Sequence, residues 1–224
     1  MQTYYDEGRT YSVARLHPYA PGAPGQAGYV DFKAFPELIP TSLEDLIPFS
    51  DRPAIQAFYR LLAEVNGKKS HLESCDCVFR GPGPHKDLNS HLPLSAHGRI
   101  YLMFRELRLN CSSEQTDWLC GRLMTVLRET DPTMTAAEGV IGFTHNSALQ
   151  IALSKGIWRP DGQFECDHDD PGYGRHLMLS FWAYGSTDYQ VFENLERVFD
   201  NLRISCRSIS DEISLSLPSH DKGG

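Results

Sequence analysis

Three stretches of the chain carry apolar residues at the spacing of an amphipathic helix, at about 52–66, 112–129 and 187–202. Each begins with a pattern typical of a helix start, either a proline in the first turn or a Ser/Thr-x-x-Gln capping box. A shorter helix is predicted from Thr41, where two capping boxes overlap, to Pro48. The apolar stripes of the three longer helices are predicted to face the core, and they consist of Ile55, Phe58, Leu62 and Val65; Leu119, Leu123, Val126 and Leu127; and Val191, Leu195, Val198 and Leu202.

Other stretches alternate apolar and polar residues, as half-buried β-strands do. The clearest runs from Arg99 to Leu109, where a change of apolar parity at Arg105-Glu106 predicts a β-bulge. Further strands are predicted at about 72–79, 139–144, 148–154 and 177–184, and one more in the tail after Arg203. This order predicts an α+β fold, a mainly antiparallel sheet with helices packed on one face, and it allows two related β-α-β halves.

Residues 1–40 differ from the rest of the chain because they are rich in Pro, Gly and Tyr. We interpret them as an N-terminal arm that its tyrosines hold against the body. Residues 41–217 are then a single α+β domain that folds without the arm, and residues 218–224 are a flexible tail. A chain of 224 residues is long enough to bury a core without disulfides or metal, so we expect no cofactor.

The charge balance narrows the classes of partner. The chain has 21 Lys and Arg against 29 Asp and Glu, a formal net charge of −8. A nucleic-acid binder needs a basic surface and a membrane-surface helix needs a cationic face, so we expect neither partner. The sequence shows no signal peptide and no apolar run long enough for a membrane span. The six cysteines form no C-x-x-C pair, which indicates reduced thiols in the cytoplasm.

The segment from Asp161 to Asp170 is densely acidic, with five carboxylates and no Lys or Arg. It does not fit a calcium loop, because Pro171 takes a ligand position and Met178 stands where a bidentate Glu is required. It does not fit a metal-dependent nuclease motif either, because Asp167 stands where a lysine would stabilise the attacked phosphate. Two interpretations stay open, a solvated acidic loop and a docking patch for a basic partner.

A predicted loop at 81–98 carries three histidines six residues apart, His85, His91 and His97. Zinc sites prefer closer pairs, so this spacing does not indicate a metal site. The sequence contains no G-x-S-x-G, dinucleotide-binding, Walker or H-E-x-x-H motif. An enzyme of unrecognised type, with its site at 81–98 or 161–176, is the alternative to a binding protein.

Three short segments carry a resemblance to a known class of proteins: Ile100–Leu107 (IYLMFREL), Trp118–Leu123 (WLCGRL) and Phe192–Leu195 (FENL). The pattern from about Arg99 to Leu202, about half of the chain, resembles immunity proteins of bacterial polymorphic-toxin and type VI secretion systems. It is most similar to the large α+β family paired with restriction-endonuclease-fold nuclease toxins. The resemblance implies a cytoplasmic antitoxin, not an enzyme, that binds and blocks a cognate nuclease delivered between bacteria. Its motifs are structural, so no binding residues carry over from the family.

For such a role, the acidic segment and its aromatic neighbours are the predicted contact with a basic toxin. Carboxylates accelerate association with a basic partner, and a buried aromatic ring slows dissociation. The predicted partner-binding residues are Trp158, Asp161, Glu165, Asp167, Asp169, Asp170 and Tyr173.

Overall fold

The computed structural model of the chain describes residues 1–5, 15–16, 32–33, 35–86, 90–150, 156–158, 164–166 and 173–216. Of these, residues 15–16, 75–76, 107, 146–150, 156–158, 164–166, 173 and 216 are described by their backbone alone. The strands are β1 Gln2–Tyr5, β2 Arg15–Leu16, β3 Leu72–Pro84, β4 Leu94–Phe104, β5 Gly139–Gln150, β6 Gly156–Trp158, β7 Phe164–Cys166 and β8 Tyr173–Gly185. The helices are α1 Ile39–Ser42, α2 Pro53–Val65, α3 Ser113–Thr130 and α4 Asp188–Ser216, with short 3-10 helices at Pro36–Leu38, Glu44–Phe49 and Leu107–Cys111.

One sheet organises these elements, with its strands in the order β1-β5-β8-β4-β3. The pairs β5–β8, β8–β4 and β4–β3 are antiparallel, whereas β1 and the short β2 pair in parallel with β5. β6 and β7 form a separate antiparallel pair. The predicted α+β fold with a mainly antiparallel sheet is therefore confirmed.

The three long helices pack on one face of the sheet. α4 contacts β8, β4 and β5 and lies between α2 and α3. Strand side chains alternate between the two faces, and those of Ile100, Leu102 and Phe181 join the helices in one core. Every residue of the predicted helix stripes is at most 8% exposed, which confirms those stripes. None of the helices in the described ranges is both long and apolar enough to cross a membrane.

The starts of the long helices agree with the prediction. α2 and α3 each lie within one residue of the predicted bounds. The Ser112 side chain accepts the Gln115 N–H at 3.3 Å and caps α3, and the Thr187 side chain accepts the Gln190 N–H at 3.2 Å before α4. The short helix is different. α1 begins at Ile39, so the predicted capping boxes at Thr41 do not start it.

The end of α4 corrects a prediction. The helix continues to Ser216, where a strand was predicted after Arg203. It continues because Cys206, Ile209 and Ile213 extend the buried stripe of the helix past the predicted end. The second of the two proposed β-α-β halves therefore lacks its closing strand.

β3 and β8 are longer than the alternation predicted, and β4 lies five residues closer to the N-terminus than the predicted strand Arg99–Leu109. β3 extends to Pro84 and β4 begins at Leu94, so both ends of the predicted 81–98 loop belong to strands. The predicted bulge at Arg105-Glu106 is wrong, because β4 ends at Phe104. The Asn110 side chain donates to the Phe104 carbonyl at 2.8 Å and accepts its N–H at 2.9 Å, which ends the strand in a 3-10 turn. β5 is one strand with a register shift between Asn146 and Leu149, near the predicted break.

Part of the predicted N-terminal arm belongs to the sheet. β1 pairs with β5, and Thr3 Oγ1 accepts a hydrogen bond from Arg128 Nε at 2.9 Å. Met1, Phe32 and Ile39 are buried in the common core. A body that begins at residue 41 would lack these contacts, which the Pro/Gly-rich composition did not indicate.

Candidate protein-binding surface

The predicted acidic site falls largely beyond what the structure describes. Outside the described residues are Asp161, Asp167, Asp169 and Asp170. Trp158 ends β6, Glu165 lies in β7 and Tyr173 begins β8, each described by its backbone alone. The role of these side chains in partner binding stays a prediction.

The three histidines of the predicted 81–98 loop make different local contacts. His85 Nε2 donates to a main-chain carbonyl of the same loop at 2.5 Å. His97 lies in β4 opposite Arg80 of β3, and burial together with the Arg80 charge lowers the pKa of His97. The His91 side chain is exposed. Within the described ranges, no group of three or more His, Cys, Asp or Glu side chains is placed to hold a metal ion.

A polar network beside α3 holds His145 of β5. Its Nε2 lies 3.1 Å from the Thr116 carbonyl, so Nε2 carries the hydrogen and Nδ1 accepts the Tyr5 hydroxyl at 3.0 Å. Asp117 Oδ1 lies 3.4 Å from Nδ1 and accepts from Arg175 at 3.1 Å. Burial lowers the pKa of His145 and outweighs the contributions of Thr116 and Asp117, which would raise it. The ring is therefore neutral at neutral pH and joins β1 and α3 to β5.

Among the described cysteines, Cys111, Cys120 and Cys206 are free thiols. Burial raises the pKa of Cys120 and of Cys206 to about 12, and it also raises the pKa of Cys111. A thiol with a raised pKa stays protonated and unreactive at neutral pH. Cys111, Cys120 and Cys206 are therefore not activated nucleophiles.

A surface with exposed apolar side chains is built by residues 35–51. The segment consists of two 3-10 helices and α1, and prolines at positions 36, 40 and 48 keep these turns short. Such short turns cannot present one continuous buried stripe, so single side chains hold the segment in place. Ile39 and Leu46 are both buried in the core.

Phe49 joins this segment to the sheet and to α4. Its ring centroid lies 6.0 Å from that of Phe79 in β3 and 5.6 Å from that of Phe192 in α4. A Cβ atom on Gly81 would lie 2.6 Å from the Phe49 ring, so the ring occupies space that only glycine leaves open. Arg52 lies over the Phe192 ring at 5.4 Å. Phe49 and Arg52 therefore join this part of the chain to the start of α4.

Large apolar side chains on this surface point to solvent. Phe35 is 52% exposed, Leu38 39%, Ile47 49% and, on α4, Tyr189 68%. The same two stretches of the chain, 35–51 and the start of α4, also carry exposed carboxylates, namely Glu37, Glu44, Asp45, Asp51, Asp188 and Glu193. We call these apolar and acidic side chains together the acidic–apolar surface. Exposed apolar side chains that adjoin one another mark interaction sites more often than scattered ones do.

The charges at this surface are predominantly negative. Arg197 of α4 is bound by Asp131, whose Oδ2 accepts from Nε at 3.1 Å and from an Nη at 2.9 Å. The positive charge of Arg197 is therefore neutralised by Asp131. A hydrogen bond to Glu193 raises the pKa of the Tyr189 hydroxyl, which shows that the phenol and the carboxylate adjoin. Six exposed carboxylates outnumber the exposed Arg52 beside Phe192, so they set the sign of the local potential.

This surface differs from the predicted acidic site, and residues 35–48 were predicted as the end of an arm and a capped helix. A signal was present, since residues 35–51 contain four carboxylates and no Lys or Arg. These four carboxylates do not indicate which apolar side chains of the segment remain exposed to solvent. That depends on Phe49 packing against Phe192, more than a hundred residues later in the chain.

A scan against protein-family models, a search of curated proteins and a search of solved structures each find no match to this chain.

Proposed function

We propose that this chain is a binding protein that inhibits a basic protein by stoichiometric association, and specifically an immunity protein that blocks a cognate nuclease toxin. The observation that supports this proposal is the acidic–apolar surface, where exposed apolar side chains lie among carboxylates. At protein interfaces, large apolar and aromatic side chains carry much of the binding free energy, whereas charges set association rate and orientation. A nuclease presents the complementary basic surface, because it must hold phosphates.

The proposed mechanism is occupation of the nucleic-acid site of the toxin. Glu44 and Asp45 stand beside Ile47 in one 3-10 helix, and Glu193 follows Tyr189 by one turn of α4. Carboxylates at these positions would form ion pairs with the basic side chains that bind the substrate of the toxin. The apolar side chains between them would exclude water from the contact and slow dissociation.

The test is the binding kinetics of the full chain with the nuclease encoded beside its gene, at two ionic strengths. The double variant Glu44→Gln/Glu193→Gln should associate more slowly, and its association rate should depend less on salt. Ile47→Ala/Tyr189→Ala should lose on the order of 2 kcal/mol of affinity, about thirtyfold in Kd, mainly through faster dissociation.

A matched control is available on α3. Glu114 and Glu129 are also exposed, so Glu114→Gln/Glu129→Gln removes the same charge from another surface. If both double variants slow association equally, net charge and not this surface is responsible. If the wild-type chain neither binds the nuclease nor protects cells from it, the immunity proposal is wrong.

A further inference from the structure

A cavity of about 470 Å³ lies where the end of α2, the turn at 67–70 and the middle of α4 meet. Its volume falls within the range of small-molecule sites. The buried residues Val65, Cys206 and Ser210 contribute to its lining, and most of the other lining residues carry charged side chains whose methylene groups add apolar surface. We call this cavity the α2–α4 pocket.

Most charged side chains that line the α2–α4 pocket are cationic: Lys68, Lys69, Arg203 and Arg207, against Glu64 and Asp211. On a chain with a net charge of −8, this is a local reversal of sign. The carbonyl groups at the C-terminal end of a helix carry partial negative charge, which disfavours a bound anion. Two of these carbonyl groups in α2 already accept hydrogen bonds from the main chain. Leu62 O accepts from Asn66 and Glu64 O accepts from Gly67, both at 3.0 Å. The pocket therefore favours a negatively charged ligand.

The two arginines are held in fixed positions. Glu64 Oε1 accepts from Arg203 Nη1 at 2.9 Å, and Glu64 Oε2 accepts from Arg207 Nη2 at 2.6 Å. Burial would raise the pKa of Glu64, but the hydrogen bonds from Arg207 and Arg203 outweigh it, and the pKa is lowered. Arg203 Nε also donates to Asp200 at 3.3 Å. Among the described contacts, none uses Arg203 Nη2 or Arg207 Nη1, so both guanidinium groups keep donors for a ligand.

We propose that the α2–α4 pocket binds a small phosphate-bearing molecule. Planar guanidinium groups match the oxygen spacing of phosphate, and lysines add charge without fixed direction. Ser210 Oγ accepts the His71 N–H at 2.6 Å, which leaves the hydroxyl hydrogen of Ser210 to donate to the ligand. The pocket is separate from the acidic–apolar surface, because Arg203 follows Glu193 by ten residues, about 15 Å along α4.

The experiment is calorimetric titration of the full chain with inorganic pyrophosphate, with ionic strength held constant by added chloride. We expect saturable binding in each titration. The affinity should be lower when the titration is repeated at a higher constant chloride concentration. Arg207→Gln and Lys69→Gln should each weaken it, Arg207→Gln by about tenfold or more. Asp211→Asn should strengthen binding about threefold, because it removes a lining carboxylate. Arg60→Gln, on an exposed position of α2 outside the pocket, is the control and should bind as the wild type does.

Two results would overturn the proposal. One is the absence of saturable binding up to ~10 mM pyrophosphate, a concentration that even a weak small-anion site would fill. The other is binding by Arg207→Gln and Asp211→Asn indistinguishable from that of the wild type. Lys69 and Asp211 are exposed, so their variants keep the test valid if Arg207→Gln folds poorly.

Discussion

Asp131, directly after α3, joins that helix to the following turn and to α4. Its Oδ1 accepts the Thr133 N–H at 3.1 Å and the Met134 N–H at 3.2 Å, while Oδ2 accepts from Arg197 and from Asn201. Burial would raise the pKa of Asp131. The hydrogen bonds from Thr133, Arg197 and Asn201 outweigh burial and hold the pKa well below its ordinary value of 3.8. One carboxylate thus accepts the N–H groups of the turn after α3 and forms an ion pair with α4.

The substitution Asp131→Asn should lower the free energy of unfolding at neutral pH by on the order of 2 kcal/mol. Because the folded-state pKa is lowered, the carboxylate stabilises the fold fully above its unfolded pKa, and this contribution is lost as the pH falls. The difference between wild type and variant should therefore shrink below about pH 4. Urea unfolding at neutral and acidic pH measures both effects. Asp51→Asn, at an exposed position, is the control, and an equal loss there would contradict the assignment.

His145 gives a second pH-dependent contribution. Burial lowers its pKa, so folding favours the neutral ring. Its contribution to stability is present above the ordinary pKa of 6.5 and is lost as the pH falls below that value. We expect nuclear magnetic resonance to show the Nε2–H tautomer at neutral pH and a titration midpoint below 6.5, with the signal assigned by comparison with His145→Gln. A midpoint above 6.5 would contradict the role of burial.

Among the elements, α4 shows how tertiary contacts extend a helix. The sequence after Leu202 is locally ambiguous, because Ile204 and Cys206 alternate as strand residues do. In the structure Ile204 is 45% exposed, while Cys206, Ile209 and Ile213 are buried with the earlier stripe. The last turns of α4 are therefore helical because the core continues beneath them.

A proline at the exposed position 208 tests this extension. Ser208→Pro should cost about 3 kcal/mol or more, because proline in a helix interior removes a hydrogen bond and clashes with the preceding turn. Ser208→Ala keeps the hydrogen bond and should change stability by no more than about 0.5 kcal/mol. Urea unfolding, with far-ultraviolet circular dichroism for helix content, gives the comparison. Equal stability of the two variants would mean that the helix ends before residue 208.

Strand β1 and the buried side chains near it are expected to contribute to the stability of the fold. A chain that begins at Thr41 lacks strand β1 and the buried side chains of Met1, Phe32 and Ile39. Loss of Ile39, 1% exposed, by itself should cost about 2 kcal/mol or more. We therefore expect the shortened chain to melt at lower temperature, or without a cooperative transition, in calorimetry. Equal thermal stability would show that residues 1–40 are an accessory arm after all.

On the scale of the whole molecule, the negative charge is unevenly distributed. The acidic–apolar surface is negative, the α2–α4 pocket is positive, and the acidic segment 161–170 is a second candidate for contact with a basic partner. If that segment contributes, Asp167→Asn/Asp169→Asn/Asp170→Asn should slow association with the proposed nuclease partner and flatten its salt dependence. Trp158→Ala should then speed dissociation by an amount on the order of 2 kcal/mol. Unchanged kinetics in both variants would remove this segment from the interface and leave the acidic–apolar surface.

The sequence by itself determined the features that local physics controls. The long helices α2, α3 and α4 and their buried stripes follow from apolar spacing and capping residues, and the α+β class follows from the order of elements. Tertiary structure decided the remaining features, because most of them depend on contacts between segments that are distant in the chain. β1 pairs with β5, and the core beneath Ile213 prolongs α4. The end of β4 depends on a side-chain contact over six residues, between Asn110 and the Phe104 main chain. The candidate surface likewise depends on Phe49 packing against Phe192, a contact between distant segments that no local pattern encodes.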